Sequence, residues 1–589
     1  MSLSTSKSTP ESGMAAVCNT ETPRKETPTL ELSSAAQLPE STNCLACSED
    51  GRLLSLGHSR GLSVWCASSL ICVAEWLQDT LEITSIQITR MSDTIYLLGT
   101  IDDMGVARVF AYHSEGIHLL SVINIMDNVN KRSICLKFDL SEGGDYGAAS
   151  MSCNGAVWLE VYHFPSEAWL MELEKAPSQK QDQNSSGQLD VKWSNVAEMI
   201  KIKPPKTPAG MALQDPPEDL NMTDFFTHCL ALDSYTNSSG QWEEQRCTHH
   251  FLLPCGQSPG DSKTKSQPAG FPVAVCVWWS GSHNLLQYLL QKVPRNKPDV
   301  EPLPDVLWPN AKEILCSAVS RCTRYLAVGL DGAVVCVWDR QSGSPLSVVS
   351  VSAADRAFCR VQFVDYLPES ADDSQTFTAA EVHLLVLCKS GVIHRVTTGR
   401  GAQSCTKQLT ERPTDSRDLP TVTEPVPFLK SSLLLMQRNG KMLIQDVINQ
   451  TTVCFLHPPA SHLIATPCSP VYALHSKQQT LFIQGEQNRS CSASSEGGRQ
   501  SQLFIFRFGE CDITKEYIVS LPDSPVSRAT LEESCDLYLQ QRALSADERN
   551  KAVTQTWKQL QETAVKVQQS CSQLKNCSKQ FVCPEVQRV

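Results

Sequence analysis

The stretch YLAVGLDGAVVCVWD, residues 325–339, decides the predicted fold because it has the pattern of a β-hairpin. Two apolar runs flank a polar turn, and the second run ends in the dipeptide Trp-Asp. Asp-Gly is the strongest short hairpin signal, because a type I′ turn needs positive φ at two successive residues. The stretch therefore predicts two antiparallel strands joined by a tight turn. The residues that define this unit are Gly329, Asp331, Gly332, Trp338 and Asp339.

The same order of strand, glycine-bearing turn and strand recurs along the chain. Residues 48–66, SEDGRLLSLGHSRGLSVWC, repeat it with Gly61 at the turn and Trp65 near the end. Weaker copies occupy residues 95–112, 146–164, 271–292, 382–399, 433–447 and 471–484, the last of which pairs with 501–508. This tally of eight units, at about 40 to 45 residues each plus insertions, predicts a radially repeated all-β fold.

The Asp331 turn and the Trp338-Asp339 dipeptide resemble the repeats of the WD-repeat β-propeller family. The resemblance implies a single propeller of degenerate blades, and since seven is the commonest number, both seven and eight blades stay open. Most other units lack the polar residues that orient one another in the family's repeats. We therefore expect strand pairing and inter-blade packing to hold the blades together. The degenerate blades, a long insertion and a helical tail resemble a group associated with motile cilia, as parts of a central-apparatus projection.

The composition of the 589 residues argues against several classes of protein. Hydrophobic residues make up 41% of the chain, which is enough for a sizeable core. The net charge of −12 argues against nucleic acid or an anionic membrane as a partner. The first 17 residues lack an apolar signal core, and no 18-residue apolar run occurs. We therefore expect a cytoplasmic protein that spans no membrane.

Changes in composition divide the chain into three predicted parts. Residues 1–42 are expected to form a disordered N-terminal tail, residues 43–522 the propeller, and residues 529–589 a C-terminal helical tail. Within the propeller, the segment of about 174–245 is rich in Pro, Gln and Ser, which predicts a low-complexity insertion.

Near the C-terminus the period of the apolar residues changes to that of a helix. No Pro or Gly interrupts residues 544–575, and apolar residues recur there at alternating steps of four and three. This stripe either packs on the propeller of its own chain or docks on a partner, and the sequence leaves both alternatives open. The residues of this candidate partner-binding helix are Val553, Trp557, Leu560, Ala564, Val567 and Leu574.

Short motifs typical of enzymes and metal sites are rare in this sequence. Residues 57–61 spell G-x-S-x-G, but no helix pattern follows, so Ser59 is interpreted as a turn residue. Cys44 and Cys47 form a Cys-x-x-Cys without a second pair, which indicates structural thiols. The dipeptide His249-His250 is interpreted as a strand-edge pair. We therefore predict no catalytic, cofactor-binding or metal-binding residues.

The predicted function is that of a non-catalytic scaffold that binds proteins within a large assembly. By resemblance, that assembly is the central apparatus of the motile-cilium axoneme, with axonemal proteins as partners. The first alternative is a ubiquitin-ligase substrate receptor or another adaptor propeller. Such receptors often carry W-D-x-R, whereas Trp338-Asp339 is followed here by Arg340-Gln341. The second alternative is an enzyme that uses the propeller channel.

Overall fold

The structure is a computed structural model, and it describes most of the chain between residues 28 and 519. The described residues are 28–78, 80–124, 133–175, 193–205, 246–254, 272–290, 302–352, 357–364, 381–399, 403–458, 462–487 and 501–519, together with 557, 558, 562 and 565. Within these ranges, no helix is long and apolar enough to cross a lipid bilayer.

The strands of the described residues form eight sheets, each of which is termed a blade. Blade one consists of β3 Thr42–Cys47, β4 Leu53–His58, β5 Gly61–Cys66 and β6 Cys72–Leu77. Blade two consists of β7 Ile83–Arg90, β8 Tyr96–Asp102, β9 Ala107–His113 and β10 Gly116–Val122. Blade three consists of β11 Ile134–Leu140, β12 Tyr146–Cys153, β13 Ala156–His163 and β14 Ala197–Ile202. Blade four consists of β15 Cys247–Leu252, β16 Ala274–Trp279, β17 Asn284–Leu289 and β18 Val306–Pro309.

The second half of the chain forms the remaining four blades. Blade five consists of β19 Ile314–Val319, β20 Tyr325–Leu330, β21 Val334–Asp339 and β22 Ser344–Ser350. Blade six consists of β23 Phe358–Phe363, β24 Glu381–Cys388, β25 Ile393–Gly399 and β26 Cys405–Gln408. Blade seven consists of β27 Pro420–Pro425, β28 Ser432–Gln437, β29 Met442–Asp446 and β30 Thr452–His457. Blade eight contains β31 His462–Ile464, β32 Tyr472–His475, β33 Thr480–Gln487 and β34 Ser501–Arg507.

The first strands of several neighbouring blades contact one another, which places them around the central axis of a ring. β3 contacts β7, β19 contacts β23, and β3 also contacts β32, so the last blade meets the first. This arrangement confirms the predicted all-β propeller. The eight sheets settle the blade number that the sequence left open, and each of the eight sequence units falls in one blade.

Two N-terminal strands, β1 Thr29–Glu31 and β2 Ser34–Gln37, complete the ring. β2 pairs antiparallel with β34 and is the outer strand of blade eight. β1 pairs parallel with β30 and adds a fifth strand to blade seven. The prediction of a disordered tail over residues 1–42 is therefore wrong for these strands. Their partners lie at the other end of the chain, and no local pattern in so short a segment identifies them.

The apolar core is divided into eight layers, one between each pair of neighbouring blades. The layer between blades four and five, for example, contains Trp278, Leu326 and Trp338. Because such layers cover both faces of a blade, its middle strands are buried along most of their length. This explains why their sequences are continuous apolar runs without a polar alternation.

The turn of blade five differs by one residue from the predicted Asp-Gly turn. Leu330 pairs with Val334, so three residues form the turn. Positive φ angles occur at Gly332 (77°) and at Ala333 (60°). The Ala333 side chain is buried in the layer between blades five and six, and this packing offsets the cost of a positive φ at a residue with a Cβ.

The insertion predicted over residues 174–245 is interrupted by secondary structure. β14 lies within it and pairs with β13 as the outer strand of blade three, so the prediction is wrong over residues 197–202. Before it, the helix α1 Ser166–Lys175 buries Trp169 and Leu173 in the layer between blades two and three. Further short helical segments between residues 133 and 519 of the described chain are α2 Asp512–Lys515 and the 3₁₀ turns Glu142–Gly144 and Ser416–Asp418.

Candidate protein-binding site

A groove of about 610 Å³ opens between blades two and three. It is formed by the first residues of β7, the turn that joins β8 to β9, and the first residues of β11. We refer to it as the blade two–three groove. Its apolar lining comes from Ile101, Met104, Ile134, Cys135 and Leu136.

Three apolar side chains of the blade two–three groove remain in contact with solvent. Met104 is 49% exposed, Ile134 is 37% exposed and Leu136 is 49% exposed. Single exposed apolar side chains are ordinary on a protein surface, whereas a contiguous cluster marks a site for another molecule. Asp103 is also exposed beside Met104, so the rim carries a negative charge.

The turn that carries Met104 is held in place by Asp102, the last residue of β8. One oxygen of its carboxylate accepts the N–H groups of Met104 at 3.0 Å and Val106 at 2.7 Å. The other oxygen accepts a hydrogen bond from Arg108 at 2.6 Å. Asp side chains favour turns because they bond backbone N–H groups a few residues further on. The turn is therefore shaped before any partner arrives.

Asn124 and Gly105 fix the floor of the blade two–three groove. The Asn124 amide donates to the carbonyl groups of Gly105 at 2.8 Å and Ser133 at 3.0 Å. Gly105 has a φ of 72°, and a Cβ at this position would lie 2.8 Å from the Cβ of Ile134. Only glycine therefore lets Ile134 approach the turn this closely. This site was not predicted from the sequence, although Asp-Asp-Met-Gly is a recognisable turn signal.

Polar side chains link the first strands of blades two, three and four. Gln87 donates to one oxygen of Asp139 at 2.7 Å, and His249 Nε2 lies 2.9 Å from the other. Lys137 Nζ lies 2.5 Å from that second oxygen. Burial by itself would raise the pKa of the Asp139 carboxyl, but its contacts with His249 and Lys137 outweigh burial and hold that pKa well below its usual range. These contacts fix the three blades relative to one another.

Ser150, His249 and Asp139 have the connectivity of a catalytic triad. Ser150 Oγ lies 3.4 Å from His249 Nδ1, and the opposite ring nitrogen contacts Asp139. A serine nucleophile must reach the carbonyl carbon of a substrate, and Ser150 is only 1% exposed. Its hydroxyl also donates to the Cys247 carbonyl at 3.3 Å. We interpret the three residues as a buried link between blades three and four. Ser59, the other candidate nucleophile, lies in the turn between β4 and β5, as predicted.

The repeat-defining residues of blade five fall into buried and exposed groups. Trp338 is buried in the layer between blades four and five, and its Nε1 donates to Asn310 at 3.2 Å. Asp339 is buried and accepts hydrogen bonds from Arg324 at 3.3 Å and 3.4 Å. Asp331 is exposed, and its backbone N–H donates to the Glu313 carbonyl at 2.9 Å. The Trp-Asp dipeptide is thus structural, whereas Asp331 serves the turn alone.

The remaining repeat-defining residues also lie in the strands and turns of their blades. Gly61 is the first residue of β5, and Trp65 lies in the same strand, where its Nε1 donates to Ser63 at 3.0 Å. Gly329 lies inside β20, where a Cβ would be 2.6 Å from Cys316 Sγ. Gly332 occupies the turn of blade five. None of these residues lines the blade two–three groove.

The described part of the chain contains no group of three or more His, Cys, Asp or Glu side chains that could hold a metal ion. Burial raises the pKa of the Cys44 and Cys47 thiols to about 12, which keeps both thiols protonated and unreactive. His249 and His250 lie on β15, an edge strand of blade four, as predicted. His250 Nε2 lies 2.8 Å from Ser317 Oγ of blade five.

Of the predicted partner-binding helix, only Trp557 belongs to the described residues. It is helical and 44% exposed, and Val565, two turns further on, is helical and 50% exposed. The other predicted members of this face lie outside the described residues: Val553, Leu560, Ala564, Val567 and Leu574. Trp557 is thus an exposed aromatic side chain, available to a complementary surface.

Several solved structures match most of this chain at low sequence identity. Saccharomyces cerevisiae Sqt1 is 9% identical with a TM-score of 0.43, over 82% of this chain and 99% of that chain. Chaetomium thermophilum Sqt1 bound to the N-terminus of the ribosomal protein L10 is 11% identical with a TM-score of 0.44, over 82% and 100%. The Dos1 propeller is 9% identical with a TM-score of 0.42, over 81% and 95%.

A sequence-family model also matches this chain. The family described as WD repeat-containing protein 93 matches residues 42–335, which run from the first strand of blade one into blade five. The matched region includes the blade two–three groove. The chain therefore belongs to the WD-repeat β-propeller family described as WD repeat-containing protein 93.

Proposed function

We propose that this protein is a non-catalytic scaffold that holds other proteins together in the central apparatus of the motile-cilium axoneme. The observation that carries the proposal is the blade two–three groove. There Met104, Ile134 and Leu136 present apolar surface to solvent on a turn that is already shaped. A preorganised site loses little conformational entropy on binding, so its apolar contacts translate into affinity.

Two further arguments support a scaffold. WD-repeat propellers are generally non-catalytic scaffolds, and the triad-like Ser150 of this chain is buried between two blades. The eight apolar layers also make the ring a stiff support for a docking surface. The proposed location in the cilium is an expectation from the resemblance of the whole chain to proteins associated with motile cilia.

The adaptor alternative finds less support in the residues around Trp338-Asp339. Gln341 stands where the substrate receptors of ubiquitin ligases carry arginine. The neighbouring Arg340 guanidinium donates to the carbonyl groups of Leu253 at 3.1 Å and Thr323 at 2.5 Å. Arg340 is therefore engaged in linking blade four to blade five.

A detergent-extraction experiment in multiciliated or sperm cells tests the proposed function. The tagged full chain should remain with the axonemes, because its partners are structural. The Leu136→Glu variant should be extracted with the soluble fraction, since a charge in the groove opposes burial of its apolar lining. The matched control is Ile71→Glu, an equally drastic change at a side chain that is 63% exposed in blade one, away from the groove.

Two outcomes would contradict the proposed function. If the unmodified chain leaves the axonemes with detergent, the ciliary scaffold is wrong. If Leu136→Glu and Ile71→Glu stay with the axonemes equally, the blade two–three groove is not the docking surface.

A further inference from the structure

We propose that in the free protein the blade two–three groove is covered by the chain's own C-terminal segment, residues 549–579, with Trp557 as the apolar anchor. This inference rests on the proposed function only in that it uses the same groove. It does not require the protein to be located in a cilium. It implies that a partner must displace this segment to reach the groove.

The charges around the groove favour a basic occupant. The Arg108 guanidinium is neutralised by Asp102 at 2.6 Å, and Lys137 is neutralised by Asp139 at 2.5 Å. Asp103, by contrast, is exposed at the rim. Its backbone N–H bonds to the carbonyl of Glu82, a second acidic residue on the same side. The groove therefore combines an apolar lining with an uncompensated negative rim.

The segment 549–579 has the complementary character. It contains six Lys and Arg residues and one acidic residue, Glu562, although the whole chain is acidic. Trp557 and Val565 are uncovered on its helical residues, and Lys558 is exposed next to Trp557. Exposed tryptophan is a frequent anchor of protein interfaces, and opposite charges at the rim fix its register. Burial of the exposed Trp557 and Val565 side chains against an apolar surface would be favourable.

The chain is long enough for this contact within one molecule. The described propeller ends on blade seven, where the Val519 N–H donates to the Phe428 carbonyl at 3.1 Å. About 30 residues separate Val519 from Arg549, which gives a maximal reach of about 100 Å. A domain of this size has a radius of gyration of about 23 Å, so the reach exceeds its diameter. The contact therefore needs no second copy of the chain.

The rate of methionine oxidation in the full chain shows directly whether the groove is covered. Met104 of the groove is 49% exposed and Met171 on α1 is 56% exposed, so without a cover both should react with dilute hydrogen peroxide at similar rates. With the segment seated about nine-tenths of the time, Met104 should react roughly tenfold more slowly than Met171. Peptide mass spectrometry gives both rates from one sample.

Variants of the tail connect the protection of Met104 to Trp557. Trp557→Ala, and removal of residues 544–589, should bring the Met104 rate up to that of Met171. The matched control is Gln559→Ala, which changes a polar residue two positions away and should leave Met104 protected. The unchanged rate of Met171 reports that the propeller remains folded. High salt should also raise the Met104 rate, because it screens the basic segment from the acidic rim.

Three outcomes would overturn the inference. Equal rates of Met104 and Met171 in the unmodified chain would show an open groove. Slow oxidation of Met104 that persists in Trp557→Ala would show a different cover. Protection that appears only at high protein concentration would assign the cover to a second copy. None of these rates depends on retention in axonemes, so this inference and the proposed function can fail separately.

Discussion

Blade five has four strands and blade eight has five, and the chain supplies the strands of these two blades in different ways. Blade five is continuous from Ile314 to Ser350, and each strand pairs with its neighbour in sequence. Blade eight begins with two short strands, β31 and β32, which both pair with β33, and takes its outer strand β2 from the other end of the chain. One architecture can therefore rest on local hairpins in blade five and, in blade eight, on contacts between described residues more than 400 positions apart in sequence.

The closing contacts of blade eight are specific. The Ser33 N–H donates to the Ile505 carbonyl at 2.9 Å, and the Arg507 N–H donates to the Ser33 hydroxyl at 3.1 Å. Leu30 is buried in the layer between blades seven and eight, and Leu38 is buried in the layer between blades eight and one. The N-terminal strands therefore stabilise both joints that flank blade eight.

Loss of these strands is expected to have the largest effect on the free energy of unfolding. Removal of residues 1–38 leaves one edge of β34 and one edge of β30 without a neighbouring strand, and it takes Leu30 and Leu38 out of the core. We expect the free energy of unfolding to fall by a large part of the roughly 5–15 kcal/mol that a domain has in total. Removal of residues 1–27, which spares β1 and β2, is the control. Thermal unfolding and size-exclusion chromatography would contradict the expectation if both truncated chains behaved alike.

Within blade five, the largest effect belongs to Trp338. Trp338→Ala removes a side chain that is 4% exposed and leaves a cavity between blades four and five. Such truncations typically cost about 3–5 kcal/mol. Urea denaturation would measure the change in the free energy of unfolding. A change below about 1 kcal/mol would mean that neighbouring blades collapse into the space.

Much of this fold could be predicted from the sequence because its turns and apolar runs are local. All eight units were identifiable, and blade five was clearest because its strands follow one another through short turns. The closure by β1 and β2 could not be predicted, since Ser-Ala-Ala-Gln has no strand signal of its own. The groove was missed for a similar reason. Met104 and Ile134 come together only when blades two and three pack.

A smaller effect comes from the close approach of Phe504 to Gly485 in blade eight. A Cβ at Gly485 would lie 1.9 Å from the Phe504 ring, and Phe504 is fully buried. We expect Gly485→Ala to cost about 1–3 kcal/mol through overpacking. The counterpart in blade five is Gly329→Ala, where the nearest atom, Cys316 Sγ, would be 2.6 Å away. Its cost should be the smaller of the two in the same denaturation assay.

The joint between blades four and five should weaken as the pH falls. Burial first, and then the nearby positive charges, lower the pKa of His250 from its ordinary 6.5 to about 3. Between these two pH values His250 binds a proton in the unfolded chain but not in the folded chain. The free energy of unfolding therefore declines as the pH drops from 6.5 towards 3, and this group does not affect it above pH 6.5. The slope is at most about 1.4 kcal/mol per pH unit.

The control for this pH effect is His250→Gln, which keeps a polar group near Ser317 Oγ but does not titrate. The difference in the free energy of unfolding between the two proteins should be constant above pH 6.5 and should shrink below it. A difference that stays constant down to pH 4 would show that His250 is protonated in the folded chain.

The smallest expected effect is that of Asp331→Ala, although Asp331 made blade five recognisable in the sequence. Its side chain is exposed, and the bond to the Glu313 carbonyl comes from its backbone, which alanine retains. We expect a change within about 0.5 kcal/mol. Asp339→Ala, by contrast, leaves the half-buried Arg324 without its partner and should cost about 1–3 kcal/mol. If the two variants are equally destabilised in urea, the turn carboxylate supports the blade after all, and the division between a structural dipeptide and a dispensable turn residue is wrong.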